Sequence, residues 1–166
     1  AMVKEIKPNG RLKLTNLGGL NWSSFECETV TVRTLDGTDV LGSIMPVKAS
    51  SHVYGADASD TKREASSLEV RLDAPATNAQ ETEALGIQVG DFVYIHPRIE
   101  RHNDYIRSRF LDDKACVACM VTAIKALADA RLEPAQRTTF HFSNYEEVGH
   151  GAAAGFPEDI VELLTV

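Results

Sequence analysis

The sequence predicts a chain in two parts, β-rich to about residue 97 and α/β beyond it. Three observations carry this. Short runs of alternating character, broken by Asn-Gly and Asp-Gly turns, crowd the first part. One long apolar helical run, flanked by two strand-like runs, dominates the second. The composition, 43% hydrophobic and 25% charged over 166 residues, belongs to a globular chain that buries a core without disulfides or metal.

The elements follow in order. Met2–Ile6 reads as a strand, and Pro8-Asn9-Gly10 turns it into Arg11–Thr15. Thr29–Thr34 is strand-like, and Asp36-Gly37 returns it into Thr38–Val47. Ala49–Ser67, rich in Ser, Asp and Ala, reads as a long loop. Leu68-Glu69-Val70-Arg71-Leu72 alternates as a half-buried strand does. A short helix follows, with Asn78 as cap, Glu81 completing a capping box and Gly86 ending it. Val89-Gly90-Asp91 then turns into Phe92–Ile95. About six short strands and one small helix predict a compact barrel.

The character changes around Pro97–Asp104. Tyr105–Leu111 reads as a strand and Lys114–Ala130 as a helix closed by Pro134. Ala115–Ile124 is apolar except for Thr122, so that helix is expected to be buried on more than one side. Thr138–Ser143 reads as a second strand, and a further helix is expected near Pro157. Strand, helix and strand make a βαβ unit, with parallel strands and a right-handed crossover. Asp112-Asp113 and Glu146-Glu147 would then leave the sheet at one edge, where open α/β folds bind ligands. Four neighbouring carboxylates repel unless protonated or bridged by cations. Helix caps and turns also favour acids, so both readings stand on the residues alone.

Charge excludes one class of function. Lys and Arg number 17 against 24 Asp and Glu, a net charge of −7 with no basic cluster, which argues against nucleic-acid binding. No stretch is apolar enough for a membrane span, and the first residues given do not show the basic-then-apolar pattern of a signal peptide. Three cysteines make no disulfide framework and fit a reducing compartment, so a cytoplasmic location is expected. Both ends read as if they lie within an element, the expectation for a piece of a longer protein.

Phe110-Leu111-Asp112-Asp113-Lys114, followed by Tyr145-Glu146-Glu147-Val148-Gly149, resembles the co-catalytic metallopeptidases, and most closely the glutamyl and deblocking (tetrahedral) aminopeptidases. Asn9-Gly10, Leu17-Gly18-Gly19, Val30-Thr31-Val32, Asp36-Gly37, Leu85-Gly86-Ile87 and Val89-Gly90-Asp91 fall in the expected order, so the resemblance covers essentially the whole chain. It implies an α/β plus β fold: residues 1–5 ending a catalytic-domain strand, 6–97 an inserted β-barrel that mediates dimers or larger oligomers, and 98–166 part of an α/β zinc-peptidase catalytic domain. It implies Asp112 as the bridging ligand of two divalent metal ions (zinc, cobalt or manganese), Glu147 as a terminal ligand and Glu146 as general base. A peptide substrate and a homo-oligomer built through the barrel follow from the same resemblance.

The family's His-x-Asp ligand motif is absent ahead of Ala1, as are the later Asp and His, so the chain is expected to be an internal fragment inactive by itself. Lys114, Ala115 and His150 depart from the commoner residues of the motifs, which bears on substrate preference. Two other functions compete: a non-catalytic barrel module for assembly, and a glycoside hydrolase, since some relatives carry cellulase M or endoglucanase labels. The latter needs an acid and a base flanking a sugar, whereas adjacent Glu146-Glu147 suits base plus ligand.

Other residues read as structural. Cys116 and Cys119 have CxxC spacing but lie in the apolar helix with no second pair, and read as small buried hydrophobes. His141 reads as a satisfied strand histidine, His52 as a loop residue, and Trp22 as core or subunit interface. His96 and His102 flank the junction without an evident partner.

Overall fold

Gly10, at φ +77°, makes the turn between β1 (Met2–Ile6) and β2 (Leu12–Thr15). The Lys7 N–H donates to the Arg11 carbonyl at 2.8 Å, and the Gly10 N–H to the Lys7 carbonyl at 2.9 Å. In the computed structural model this hairpin joins β3 (Thr29–Arg33), β4 (Asp39–Pro46), β5 (Leu68–Leu72) and β6 (Phe92–Ile95) in a closed antiparallel barrel, ordered β1-β2-β5-β4-β3-β6. Closure leaves no unpaired strand edge. The structure describes residues 1–151 and 154–166 and divides into two units, Ala1–His96 and Pro97–Val166.

Alternation sets the inside of the barrel. Val3, Leu12, Val30, Val32, Ile44 and Val70 are fully buried, and Trp22 and Phe25 meet edge to face at 6.3 Å beneath them in the same core. The Trp22 indole N–H donates to Asn16 Oδ1 at 3.0 Å, which satisfies its polar end.

Glu69 breaks the alternation expected of β5. It is 2% exposed, and Lys7 and Arg11 both pair with its carboxylate, as a buried charge requires. The Ala49–Ser67 stretch also holds more than a loop: two single-turn helices, α1 (Ser51–Tyr54) and α2 (Asp57–Asp60), form within it. Arg63 fastens α2, donating to the carbonyls of Ala58 and Thr61 and to both carboxylate oxygens of Glu26. In α3 (Ala79–Ala84), Asn78 Oδ1 accepts from the Glu81 N–H at 2.9 Å, and the Glu81 carboxylate reaches back over the cap to accept from the Thr77 N–H at 2.6 Å and the Thr77 hydroxyl at 2.9 Å.

The outer face of β4-β3-β6 carries large apolar groups. Leu41, Thr31 and Tyr94 lie in one cross-strand row; Asp39, Arg33 and Phe92 form the next, and Met2 extends it. Leu41, Phe92 and Tyr94 are about half exposed.

The second unit departs from the βαβ expectation. Glu100–His102 (β7) and Tyr105–Arg107 (β8) form an antiparallel hairpin across Asn103-Asp104, both in the left-handed region, with Glu100 and Arg107 ion-paired. Thr138–Ser143 forms no strand, so the expected parallel pair is absent. A two-stranded parallel ladder has little stability alone, and Tyr105–Arg107 already spends its pairing on the local hairpin. The helix expected at Pro157 does not form either. Helix α4 (Leu111–Ala130) forms, ending with Arg131 in the left-handed region, but none of its residues is buried. Val117, Val121 and Ile124 stay 38–52% exposed, and Cys119 is exposed, contrary to the expected burial of the helix and its cysteines. No other element of this unit covers enough of the helix to bury them.

Candidate metal centre

Asp112 and Asp113 sit where chain direction changes. Phe110, at φ +61°, precedes α4, and Asp112 (ψ 116°) and Asp113 (ψ 20°) are non-helical inside its first turn, joined by a cis peptide bond. Regular helix begins with Lys114, the boundary the sequence implied. Both carboxylates are exposed. A hydrogen bond with Asp113, then partial burial, pushes the Cys116 thiol up from its ordinary pKa. The three-residue spacing of Asp113 and Cys116 on a helix was the available signal for that contact.

Glu146 and Glu147 occupy a single 3-10 turn, Glu146–Val148, between two left-handed residues, Tyr145 (φ 62°) and Gly149 (φ 84°). The Gly149 N–H donates to the Glu146 carbonyl at 2.8 Å, and the Val148 and His150 N–H groups to the Tyr145 carbonyl at 3.2 and 2.8 Å. Among the described residues the turn is held by these backbone bonds, and both glutamates are exposed.

These carboxylates suit a hard or borderline divalent cation by donor type. By number they fall short: among the described residues no three His, Cys, Asp or Glu side chains gather as a metal ion requires. The expectation that both acidic pairs leave one sheet edge is not met, because the second strand that would aim Glu146-Glu147 is missing.

The histidines fall elsewhere. His141 is half-buried and stacks on Phe156 at 4.7 Å, and its Nε2 has no hydrogen-bond partner among the described residues, so it is not the satisfied strand histidine expected. His96 Nε2 lies 2.8 Å from the Thr31 hydroxyl, a pairing across 65 positions that local pattern does not disclose. His52 is exposed on α1 and His102 on β7. Among the described residues no helix is long and apolar enough to cross a membrane.

The M42 glutamyl aminopeptidase family matches residues 1–166. The chain belongs to that family. YhfE of Bacillus subtilis (strain 168), an aminopeptidase by its name, is 42% identical over 167 residues, covering 100% of this chain and 48% of its own length. This M42 chain therefore spans about half the length of the curated relative it matches. Among solved structures, PhTET1-12s, a dodecamer in its asymmetric unit, is 25% identical with a TM-score of 0.62, over 80% of this chain and 37% of its own. The TET aminopeptidase of a marine sediment archaeon, Thaumarchaeota archaeon SCGC AB-539-E09, is 26% identical with a TM-score of 0.53, over 62% and 28%. A small barrel domain followed by part of an α/β domain is consistent with these M42-like neighbours.

Proposed function

We propose that the longer protein to which this chain belongs is a metal-dependent aminopeptidase that removes N-terminal residues from peptides. Glu146 acts as general base, and Asp112 and Glu147 are a bridging and a terminal ligand of a divalent metal pair completed by groups outside the chain. In this reading residues 1–5 end a catalytic-domain strand, 6–97 form the assembly barrel, and 98–166 belong to the catalytic domain. The protein works in the cytoplasm.

One observation carries the reading: in an M42 chain, Glu146 and Glu147 stand side by side on an exposed turn fixed by its own backbone. Neighbouring carboxylates there can divide two tasks, ligand and base. Bound divalent cations would supply an acidified water and a polarised scissile carbonyl. Glu146 takes the proton of the attacking water as its oxygen bonds to the carbonyl carbon, then gives a proton to the amine as the C–N bond breaks. Atoms balance as one water consumed per peptide bond.

The test is hydrolysis of aminoacyl-p-nitroanilides by the full-length protein. Glu146→Gln is expected to lower kcat by about 10²–10⁴, the usual scale of general-base catalysis. Chelation should abolish activity, and zinc, cobalt or manganese restore it. Glucan cleavage indifferent to chelator, with no peptide turnover, would overturn the proposal in favour of a glycoside hydrolase.

The closed barrel favours a second, compatible reading. Its core is complete within Ala1–His96, whereas α4 has no buried residue, so the barrel also serves as a module for assembly.

A further inference from the structure

Asparagine is a thermally labile residue, and Asn9 is the one asparagine of the sequence that precedes a glycine. Asn9 is exposed and Gly10 is buried. Asn9 Oδ1 accepts from the Arg11 N–H at 3.2 Å, so its side chain folds back along the chain toward the residue two positions on. That bond draws electrons from Cγ, the atom the Gly10 nitrogen attacks when an asparagine side chain closes on the following peptide. Glycine, with no side chain, obstructs such an attack least. What blocks it here is the backbone of Gly10. Its N–H donates to the Lys7 carbonyl at 2.9 Å, and its carbonyl accepts from the Thr82 hydroxyl at 2.8 Å. A Cβ added at Gly10 would stand 3.0 Å from the Ala76 carbonyl oxygen, 3.0 Å from Thr82 Oγ1 and 3.1 Å from the Asn78 nitrogen, so the Asn9–Gly10 peptide has no room to turn.

We propose that Asn9 is a site of spontaneous deamidation gated by the contact between the first hairpin turn and α3. While the turn sits under α3, Asn9 is preserved. When the turn lifts away, a solvent base takes the Gly10 amide proton and the nitrogen bonds to Asn9 Cγ. The Cγ–Nδ2 bond breaks, ammonia leaves, and a cyclic succinimide remains. One water then opens the ring. Cleavage of the Cγ–N bond gives aspartate, whereas cleavage of the backbone C–N bond gives isoaspartate, with the chain running through Cγ. The sum is one water consumed and one ammonia released, with nothing oxidised or reduced. Isoaspartate lengthens the backbone by a methylene inside the turn. Across that turn the Lys7 N–H donates to the Arg11 carbonyl at 2.8 Å, and both side chains pair with Glu69, which is 2% exposed. A longer turn shifts Lys7 against Arg11 and draws from a buried charge the partners it requires. The modification thereby makes a reversible local opening lasting.

The experiment follows Asn9 in the full-length protein by peptide mapping and mass spectrometry during incubation at mildly alkaline pH. An isoaspartyl methyltransferase assay separates isoaspartate from aspartate, and a free peptide of residues 6–12 gives the unrestrained rate. The folded wild type is expected to react at Asn9 at least about tenfold more slowly than the peptide, because the reaction tracks the open fraction. Thr82→Val, which removes the donor to Gly10, should react at least about fivefold faster than wild type. Thr82→Ser keeps the hydroxyl and should stay near the wild-type rate. If Thr82→Val fails to fold, wild type in urea well below its unfolding midpoint takes its place, and its rate should rise with urea. Protein recovered with isoaspartate should melt below Asn9→Asp, which carries the same charge on a chain of natural length. A folded protein that reacts as fast as the peptide overturns the gate. Asn9 intact in the peptide overturns the site, and Thr82→Val no faster than wild type overturns the part of α3.

Discussion

The hydroxyl of Thr82, in α3, donates to the carbonyl of Gly10, in the first hairpin turn, at 2.8 Å across 72 positions of sequence. Both residues are buried, and a Cβ added at Gly10 would stand 3.0 Å from the same Thr82 oxygen. The turn is thereby locked under the helix by one polar bond with no room to spare. Thr82→Val keeps the shape and removes the donor, stranding a buried carbonyl. The expected loss is about 1–3 kcal/mol, read as a fall of about 4–8 °C in melting temperature per kcal/mol for a unit of this size.

Gly42 is required for space and not for backbone freedom. A Cβ there would come 2.6 Å from the Arg71 carbonyl oxygen and 2.9 Å from Val70 Cγ1, across the β4–β5 ladder. Backbone cannot yield as a flexible side chain does, so Gly42→Ala should cost about 1–3 kcal/mol by overpacking. Gly19→Ala, where the space is open, is the control and should leave the unfolding midpoint in denaturant unchanged.

The barrel was legible because its signals are local. Asn9-Gly10 turned as an Asn-Gly pair does, Leu68–Leu72 formed a strand with the bounds that alternation gave, and Phe92–Ile95 formed one directly after the Val89-Gly90-Asp91 turn. What escaped was decided by partners distant in sequence. Glu69 looked like the polar member of an alternating strand, and only Lys7 and Arg11, about 60 positions away, permit its burial. Thr138–Ser143 had strand composition, but a strand needs a neighbour, and the described residues supply none. The same holds for the site. The motifs marked Asp112, Glu146 and Glu147 as candidates, and among the described residues no three such donors gather, because the second strand expected to aim Glu146-Glu147 does not form.

Arg63 makes the loop over residues 49–67 sensitive to acid. Its hydrogen bonds to Glu26 hold that carboxyl below the ordinary carboxylate range, with burial opposing and the Arg63 charge adding. A lowered folded-state pKa contributes stability that is present above the unfolded value, about 4.3, and is lost as pH falls through the folded one. Wild type should therefore melt above Glu26→Gln at pH 7, the two curves converging below about pH 4. Arg63→Met should release the tie at every pH, and limited proteolysis should then cut first within residues 49–67, where Arg63 also holds the carbonyls of Ala58 and Thr61.

Removal of the proposed metal ligands separates ligand from base. Asp112→Asn and Glu147→Gln each delete a charged donor, whereas Glu146→Gln deletes only the proposed proton acceptor. Even outer partners of metal ligands are worth about 10–100-fold in affinity, so each ligand substitution in the full-length protein should cost at least about a hundredfold. The measurement is metal content after dialysis against a competing chelator. Glu146→Gln should retain its metal while losing turnover, and Asp112→Asn and Glu147→Gln should lose both. The 166-residue chain, which gathers no three candidate donors among its described residues, should bind no metal pair tightly and hydrolyse no peptide. Retention of two tightly bound ions by the Asp112→Asn protein would remove Asp112 from the bridging position, and loss of the ions from the Glu146→Gln protein would overturn the division of roles between Glu146 and Glu147.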